Sequence, residues 1–333
     1  MMKINELDIT ESFPAFITSK RINADKNELI TLIHEHKNFF HDLLLKQGAF
    51  VFRNFGINDA ADFAEVIEAL ELGDFVNYIG GDSPRDKVKD KVYTSTEAPP
   101  NLHIPLHQEL SFMKNHPKHI YFYCEIEPDV GGSTIIGDAR QILKAMNSRV
   151  TAQFQEKKLT YVSHYYYQSM IMKFVNRLQR SHKSWPEVFE TQSKSEVETK
   201  CLANEFDWKW LKRDWLEIQQ TRPATLTHPL TQENVWFNQA HLYDFNPKLL
   251  GLQRYLGAKL FYFRKSTRLH EIMYADKTQI PRKDIYHVLD VLNQNTVSFP
   301  WKQGDVMVLD NILSMHGRAP FSGKRRILTA LTA

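Results

Sequence analysis

The sequence predicts a mainly β fold with flanking helices, and three patterns indicate it. Residues 119–126 place Ile120, Phe122 and Cys124 on one face and tyrosines on the other, a period of two that is typical of a strand. Apolar stretches at 305–309 and 326–331 predict a terminal pair of strands. Apolar residues at helical spacing in 24–47 predict an amphipathic helix ahead of them.

The other elements follow from local signals in chain order. Gly48 stops the first helix, and Pro128 with Gly131-Gly132 ends the 119–126 strand. Turn signals at 80–84 mark residues 73–101 as a long loop, which is a common wall of a binding site. The remaining predicted strands are 49–53, 133–136 and 233–238, and the remaining predicted helices are 60–70, 140–145, 249–261 and 282–294.

Residues 160–235 differ from the rest of the chain, because aromatic residues are spread among charges with little clean periodicity. We predict that this segment is an insertion that forms a lid over the core. Although 333 residues would suffice for two domains, we expect one domain over residues 1–333. No internal repeat is visible in the sequence.

Composition excludes several classes of protein. Hydrophobic residues make up 42% of the chain and charged residues 24%, as in ordinary globular domains. The 42 basic and 39 acidic residues give a net charge of +3, too small to indicate nucleic-acid binding. Cys124 and Cys201 are the only cysteines, which excludes a disulfide scaffold and a cysteine-built metal site. The N-terminus has no signal-peptide pattern and no apolar run is long enough for a membrane span, so we expect a cytoplasmic protein.

The pair His107 and Glu109 is the most informative local feature. Side chains two residues apart point the same way only in extended backbone, and Pro105 argues against a helix here. A third ligand could come from His316, which follows the apolar stretch 306–309 and would be adjacent in a closed antiparallel barrel. Two histidines and one carboxylate leave about half of the positions of an octahedral iron open, as in non-haem Fe(II) oxygenases. An ordinary polar loop remains the alternative for His107 and Glu109 alone.

Downstream motifs make this pattern more specific. The chain carries, in order, His107-x-Glu109, Gly131-Gly132-Ser133-Thr134, the strand 304–311, His316-Gly317-Arg318 and Arg325-Arg326-Ile327-Leu328. This series of motifs resembles the Fe(II)/2-oxoglutarate dioxygenases of the taurine-dioxygenase-like (TauD/TfdA) family. The resemblance spans roughly residues 48–333. Glutamate as the acidic ligand, together with residues 80–85 and His228-Pro229-Leu230-Thr231, is most similar to the branch with clavaminate synthase and the SyrP-type amino-acid hydroxylases. The implied fold is a double-stranded β-helix, or jelly roll, with a helical insertion.

The resemblance also implies roles for single residues. His107, Glu109 and His316 would be the iron ligands. Arg326 would pair with the distal carboxylate of 2-oxoglutarate, and Thr134 would hydrogen-bond the same end; an arginine suits this role because its planar fork matches a carboxylate. Neighbouring residues point to opposite faces of a strand, and we assign the inward face to Arg326 because an apolar residue follows two positions later, with Arg325 as the alternative.

Arg318 has two interpretations. It is a candidate to help bind the carboxylates of the substrate or the co-substrate, and we therefore include it among the candidate cofactor-binding residues. A surface arginine in a turn is the other interpretation.

The implied activity is an oxygenase that uses Fe(II), 2-oxoglutarate and O2 to hydroxylate an amino acid or an amino-acid-derived small molecule. Desaturation or cyclisation is also open, whereas the presence of Glu109 argues against a halogenase. Two other classes remain: a zinc hydrolase, which can also use two histidines and a glutamate, and a non-catalytic metal- or ligand-binding protein on the same scaffold.

Charged residues outside the triad suggest how a substrate would be held. Asp82 and Arg85 are candidates for the ammonium and the carboxylate of an amino acid, although a role in the turn explains Asp82 equally well. Lys173, Arg177 and Arg180 form a positive stripe at helical spacing, which is either a solvated face or a docking surface for an acidic acyl or peptidyl carrier protein. Nucleic acid is not an expected partner, because no stacking motif or recognised binding fold accompanies the stripe.

Overall fold

The computed structural model describes residues 2–21, 24–76, 87–89, 92–95, 98–167, 170, 183–261 and 269–333. The strands within these residues are β1 (Leu7–Ile9), β2 (Ala15–Ser19), β3 (Ala49–Arg53), β4 (Lys87–Lys89), β5 (Val92–Thr94), β6 (Ile104–His107), β7 (His119–Ile126), β8 (Val130–Gly131), β9 (Thr134–Asp138), β10 (Leu159–Tyr165), β11 (Asp207–Trp210), β12 (Leu216–Arg222), β13 (Thr225–Thr227), β14 (Asn234–Trp236), β15 (His270–Tyr274), β16 (Val306–Asp310), β17 (Ser314–Arg318), β18 (Phe321–Ser322) and β19 (Arg326–Thr332).

The α-helices within the same residues are α1 (Lys26–Glu35), α2 (Lys37–Gln47), α3 (Ala60–Leu70), α4 (Ala139–Ala145), α5 (Ser148–Lys157), α6 (Trp185–Phe189), α7 (Lys194–Ala203), α8 (Ala240–Tyr243), α9 (Pro247–Leu250), α10 (Leu252–Phe261) and α11 (Arg282–Gln294). Helices and sheets are therefore mixed along the chain. None of the helices in the described part of the chain is long and apolar enough to cross a membrane.

Two sheets carry the residues that matter for function. The larger has the strand order β1-β2-β3-β16-β7-β19-β5-β4, and the smaller has the order β6-β17-β9. Neighbours in both sheets are antiparallel, except β2 and β3, which are parallel. The strand predicted at 119–126 is confirmed as β7, between the two predicted C-terminal strands β16 and β19.

Apolar side chains from both sheets meet in a shared core. Phe122, Met307 and Ile327 of the larger sheet form one cluster with Ile136 of the smaller sheet. The other face of the larger sheet packs in a second cluster with α1, α2 and α3, and the tyrosines of β7 lie on that face. Both faces of the central strands are therefore buried, which explains why β7 carries large aromatic residues on its second face.

The first predicted helix is two helices. Asp25 caps α1 by accepting a hydrogen bond from the Glu28 N–H at 2.9 Å, as an aspartate at this position should. His36 then leaves helical geometry, with φ −127° and ψ 33°, and separates α1 from α2. Gly48 ends α2 in the left-handed region at φ 80°, where glycine is favoured because it lacks Cβ.

Residues 160–235 contain more regular structure than their sequence pattern predicts. Their strands β11 and β12 join β10 and β15 in a four-stranded sheet of order β11-β12-β10-β15. Tyr165, Trp185, Val197 and Leu216 are buried in a small cluster of this segment. The aromatic residues that obscured the periodicity thus form a local core.

Candidate active site

Three side chains from two distant parts of the sequence lie together where β6 pairs with β17. His107, Glu109 and His316 each present one ligand atom, and these atoms all lie within 4.8 Å of one another. Glu109 and His316 are buried. This is the only group of three or more histidine, cysteine or acidic residues with such geometry among the residues that the structure describes.

Strand pairing brings the two histidines together. His107 is the last residue of β6 and pairs with His316 in the middle of β17. Their ring centroids are 4.4 Å apart. Gly317 permits the close approach of the two strands, because a Cβ at this position would collide with the carbonyl oxygen of Ile104 and lie 2.9 Å from that of Pro105.

Glu109 lies beyond the end of β6, in a turn rather than in extended backbone. The next residue, Leu110, has a positive φ of 54°, so the chain bends away from the strand. The Glu109 carboxylate nevertheless reaches the site, with Oε2 3.7 Å from His316 Nε2. The three residues predicted as ligands therefore lie together, although Glu109 lies in a turn and not in the expected strand.

Hydrogen bonding indicates which nitrogen of His107 is available to a metal. Nδ1 lies 2.9 Å from the carbonyl oxygen of Pro105. Because a carbonyl only accepts, Nδ1 carries the proton and Nε2 keeps its lone pair. A hydrogen bond of this kind fixes the ring of a metal-binding histidine.

The donor set fits Fe(II). Two imidazole nitrogens and one carboxylate oxygen form the ligand combination used by non-haem iron oxygenases, and it leaves positions open for small ligands. A buried carboxylate also needs a cation or several hydrogen bonds to offset the loss of water. A divalent metal held by His107, Glu109 and His316 would meet that need.

The expectation that Arg326 faces inward is wrong. Its side chain is 46% exposed and its Nε lies 2.8 Å from the Glu125 carboxylate on the outside of the sheet. Arg325 instead lies beside Thr134, with Nη2 3.5 Å from the threonine Oγ1 and Nε donating to the carbonyl of Gly132 at 2.7 Å. Of the two neighbours, the structure therefore brings Arg325 next to Thr134.

Arg325 has a largely buried guanidinium. Burial lowers the pKa of Arg325 to about 10, and the nearby Arg318 guanidinium shifts it in the same direction. At neutral pH the group keeps its proton, because this pKa is still well above 7. Within the described ranges no carboxylate lies within 4 Å of this cation. It therefore offers a charge that a bound anion can neutralise.

Arg318 is buried and donates to the main chain. Its guanidinium donates to the carbonyl oxygens of Ala98 at 2.9 Å, Pro99 at 2.5 Å and Leu102 at 3.1 Å. The interpretation as a surface arginine is therefore wrong, since only 4% of the residue is exposed. Its observed contacts hold the chain that enters β6 just before the first histidine.

Two residues near the site gave no signal in the sequence analysis. Trp301 donates its Nε1 proton to Thr134 Oγ1 at 3.1 Å, which orients the threonine hydroxyl. His241 is fully buried, and its Nε2 donates to the carbonyl of Leu106 at 2.9 Å. Burial, and then the neighbouring His107, lower the pKa of His241 to about 3, so this ring is neutral.

A cavity of about 950 Å³ adjoins the site's supporting loops. Leu110, next to Glu109, and Ile312 line it. Other lining residues come from the 160–235 segment and include Tyr165, Ile218 and Gln220. The carboxamide oxygen of Gln220 is buried and has no hydrogen-bond partner among the residues described. The cavity can thus hold a medium-sized organic molecule with at least one polar group.

Five of the predicted substrate and partner residues cannot be placed. Asp82 and Arg85, and the basic stripe of Lys173, Arg177 and Arg180, lie outside the described residues. Their roles therefore stay predictions from the sequence.

Comparisons with known proteins identify the family of this chain. The family described as "Taurine catabolism dioxygenase TauD, TfdA family" matches residues 8–332. The dapdiamide synthesis protein DdaC of Enterobacter agglomerans is 33% identical over 290 residues, covering 87% of this chain and 83% of DdaC. A clavaminate synthase-like protein of Arabidopsis thaliana is 28% identical over 331 residues, covering 97% of this chain and 94% of that protein.

A solved structure shows the same fold at low identity. The crystal structure of AAD-2 in complex with Mn(II) and N-oxalylglycine has a TM-score of 0.57 and 12% identity to this chain, covering 98% of it and 97% of AAD-2. The family match extends over nearly the whole chain and includes all three residues of the triad. The chain therefore belongs to the TauD, TfdA family and is an Fe(II)- and 2-oxoglutarate-dependent dioxygenase.

Proposed function

We propose that this dioxygenase hydroxylates an amino acid or an amino-acid-derived small molecule in a biosynthetic pathway. The observation that carries the proposal is the convergence of His107, Glu109 and His316 within 4.8 Å, in a chain of the dioxygenase family. The named activity of DdaC in dapdiamide synthesis supports a biosynthetic role. These three side chains would hold the iron.

We infer that the fold is a single double-stranded β-helix domain with the 160–235 segment as its lid. In support, Ile136 of β9 packs in one apolar cluster with residues of β3, β16, β7 and β19, and the Phe122 ring of β7 lies against the His316 ring of β17, as expected for the two sheets of a jelly roll. In both sheets, strands from the C-terminal part of the chain (β16, β17 and β19) lie next to strands from its first half. A jelly roll brings the end of β6 and the middle of β17 to one place, which suits a metal site.

The 2-oxoglutarate pocket would extend from the triad to Arg325. The guanidinium of Arg325 would pair with the distal carboxylate, and the Thr134 hydroxyl, oriented by Trp301, would donate to it. Gly132 leaves room for this arrangement, because a Cβ there would lie 3.0 Å from Arg325 Cδ. Arg318 would fix residues 98–102 above the same end of the pocket.

Fe(II), when bound with 2-oxoglutarate and O2, supplies the oxidising chemistry that amino-acid side chains cannot provide. The protein residues would bind the iron, orient the co-substrate and shield the site from water. The triad leaves coordination positions open, Arg325 and Thr134 orient the co-substrate, and the surrounding apolar side chains such as Phe122 exclude water. Phe122 has its ring centroid 5.1 Å from that of His316.

We propose the cavity lined by Leu110 and the 160–235 segment as the substrate site; the three triad residues do not line it, and it meets the triad through Leu110, the neighbour of Glu109. Its wall is mostly apolar, and its basic residues include Lys118, His119 and Lys200, whereas Asp310 is the single acidic residue among the lining residues that the structure describes. An organic substrate with a carboxylate, such as an amino acid derivative, would be compatible with this charge. A carrier-bound substrate would instead approach over the basic stripe predicted at Lys173, Arg177 and Arg180.

A coupled assay tests the proposal. Purified protein loaded anaerobically with Fe(II) and 2-oxoglutarate is exposed to O2 with a panel of free amino acids and the same amino acids loaded on carrier proteins. We expect succinate and a hydroxylated product in stoichiometric amounts for one member of the panel. Zinc-dependent hydrolysis without succinate would indicate a zinc hydrolase, and binding without any turnover would indicate a non-catalytic protein. Coupling only to a nucleotide or a sugar would remove the amino-acid proposal and leave the dioxygenase assignment intact.

A further inference from the structure

Asn311 holds the backbone of Glu109 from both sides. Its Oδ1 accepts a hydrogen bond from the Glu109 N–H at 2.8 Å, and its Nδ2 donates to the Glu109 carbonyl oxygen at 2.9 Å. Nδ2 also donates to the carbonyl of Pro117 at 2.8 Å, which lies near the other end of the same loop. Asn311 is fully buried in the turn between β16 and β17. One side chain thus ties the carboxylate-bearing loop to the turn that leads to His316.

An amide is the group that this position requires. It must offer one acceptor to an N–H and two donors to carbonyl oxygens, and an asparagine side chain has both. An aspartate has nearly the same shape but no donor, so it would place a carboxylate oxygen against two carbonyl oxygens. The position therefore distinguishes an amide from an acid by charge and donor count rather than by size.

Asp310 and His228 in turn hold Asn311. Asp310 Oδ1 accepts from the N–H groups of Ile312 at 2.8 Å and Leu313 at 2.9 Å, which shapes the turn around Asn311. Its Oδ2 lies 3.0 Å from His228 Nε2, and both side chains are buried. The turn conformation thus depends on a carboxylate that is anchored by the histidine.

The histidine donates to Asp310. His228 Nδ1 accepts from the N–H groups of Leu230 at 3.3 Å and Thr231 at 3.0 Å. Because an acceptor nitrogen carries no proton, the proton of the neutral ring is on Nε2 and is donated to Asp310. The stretch His228-Pro229-Leu230-Thr231, which forms part of the family resemblance, therefore has a structural role: it orients the His228 ring towards Asp310.

We propose that Asn311 is a positioning residue for the metal ligand Glu109, and that His228 acts through Asp310 to keep Asn311 in place. The inference rests on the proposed role of the triad. Glu109 lies past the end of β6, so strand pairing does not fix its backbone, whereas a metal ligand must be held within about 0.5 Å of its productive position. Outer residues that orient ligands typically change metal affinity by about 10–100-fold when mutated.

The experiment compares Asn311→Asp with the wild type by anaerobic titration with Co(II). Co(II) is the probe because its visible spectrum reports ligand number and geometry independently of turnover. We expect the affinity of Asn311→Asp for Co(II) to fall about 10-fold or more, with a changed spectrum. Asn246→Asp is the matched control, since Asn246 is equally buried and also donates two hydrogen bonds, but to Asp244. The control should keep wild-type affinity and spectrum.

A second pair of variants keeps the test decisive if Asn311→Asp does not fold. His228→Leu removes the donor to Asp310, whereas His228→Gln retains an N–H that can replace it. We expect His228→Leu to weaken Co(II) binding several-fold and His228→Gln to restore most of the loss. Wild-type affinity and spectrum in both Asn311→Asp and His228→Leu would overturn the inference. Failure of the wild type to bind Co(II), or unchanged binding in Glu109→Ala, would instead overturn the proposed metal site.

Discussion

Arg325 lies beside Thr134, with Nη2 3.5 Å from the threonine hydroxyl, while its neighbour Arg326 pairs with Glu125 outside the sheet. The two arginines therefore form a matched pair of test positions. They are adjacent in the chain and carry the same charge, but Arg325 precedes β19 and lies beside Thr134, whereas Arg326 is the first residue of β19 and pairs with Glu125.

Arg325→Ala should weaken 2-oxoglutarate binding by about 2–5 kcal/mol, because a buried ion pair with the co-substrate would be lost. This corresponds to a rise of about 30-fold or more in Kd. Arg326→Ala is the control and should change the Kd little, since surface ion pairs contribute at most about 1 kcal/mol. The charge-transfer absorbance of the anaerobic Fe(II)·2-oxoglutarate complex measures both values. The reverse ranking would return the role to Arg326.

Gly317→Ala should disturb the pairing of β6 with β17. The new Cβ would meet two carbonyl oxygens of β6, one of which lies 2.9 Å away, and the strands would have to separate. We expect a loss of about 1–3 kcal/mol in the free energy of unfolding and weaker metal binding. Chemical denaturation and metal titration measure the two effects.

Gly257→Ala is the control for that variant. Gly257 lies in α10, and a Cβ there has no neighbour within 4 Å among the described residues. Because alanine favours helix over glycine by up to about 1 kcal/mol, this variant should be neutral or slightly more stable. Equal stability of the two alanine variants would contradict the close-approach argument.

The metal-free protein should lose stability as the pH falls below about 6.5. Burial lowers the pKa values of His116 and His119, and it lowers that of His241 to about 3. In the unfolded chain these rings take up protons near pH 6.5, so the unfolded state binds more protons and gains stability relative to the fold. Each ring contributes up to about 1.4 kcal/mol per pH unit. Urea unfolding at pH 7.5 and 5.5 measures the effect, and equal stability at both pH values would refute it.

The sequence predicted the triad because its residues carry local information. Three signals can be recognised without knowing the fold. They are the His-x-Glu spacing, the apolar stretch before His316 and the order of the motifs. The strands β7, β16 and β19 were predicted for the same reason, since their apolar patterns are continuous.

The choice between Arg325 and Arg326 could not be made from alternation alone. Ile327 lies in the cluster between the sheets and Leu328 in the cluster under the helices, so both faces of β19 are apolar. Arg326 shares the outer face with Leu328, and the register with β7 shifts between Arg326 and Ile327. Which apolar face is the interior depends on contacts with distant strands.

The supporting residues were missed for a related reason. Asn311 and Glu109 are 202 positions apart, and His228 and Asp310 are 82 apart. A buried amide that binds backbone groups has no sequence pattern, because its partners are main-chain atoms of any residue. His241 likewise donates to a main-chain carbonyl, and Trp301 donates to the side chain of Thr134, 167 positions away.

The anaerobic Fe(II)·2-oxoglutarate titration of Glu109→Ala, His107→Ala and His316→Ala against the wild type tests the central claim most directly. The wild type should develop the charge-transfer absorbance at one equivalent of Fe(II) and form succinate when O2 is added. Each variant should retain its fold, lose the absorbance and form little or no succinate, because one of three protein ligands is gone. Near-wild-type turnover with full iron occupancy in any two of the variants would contradict the account.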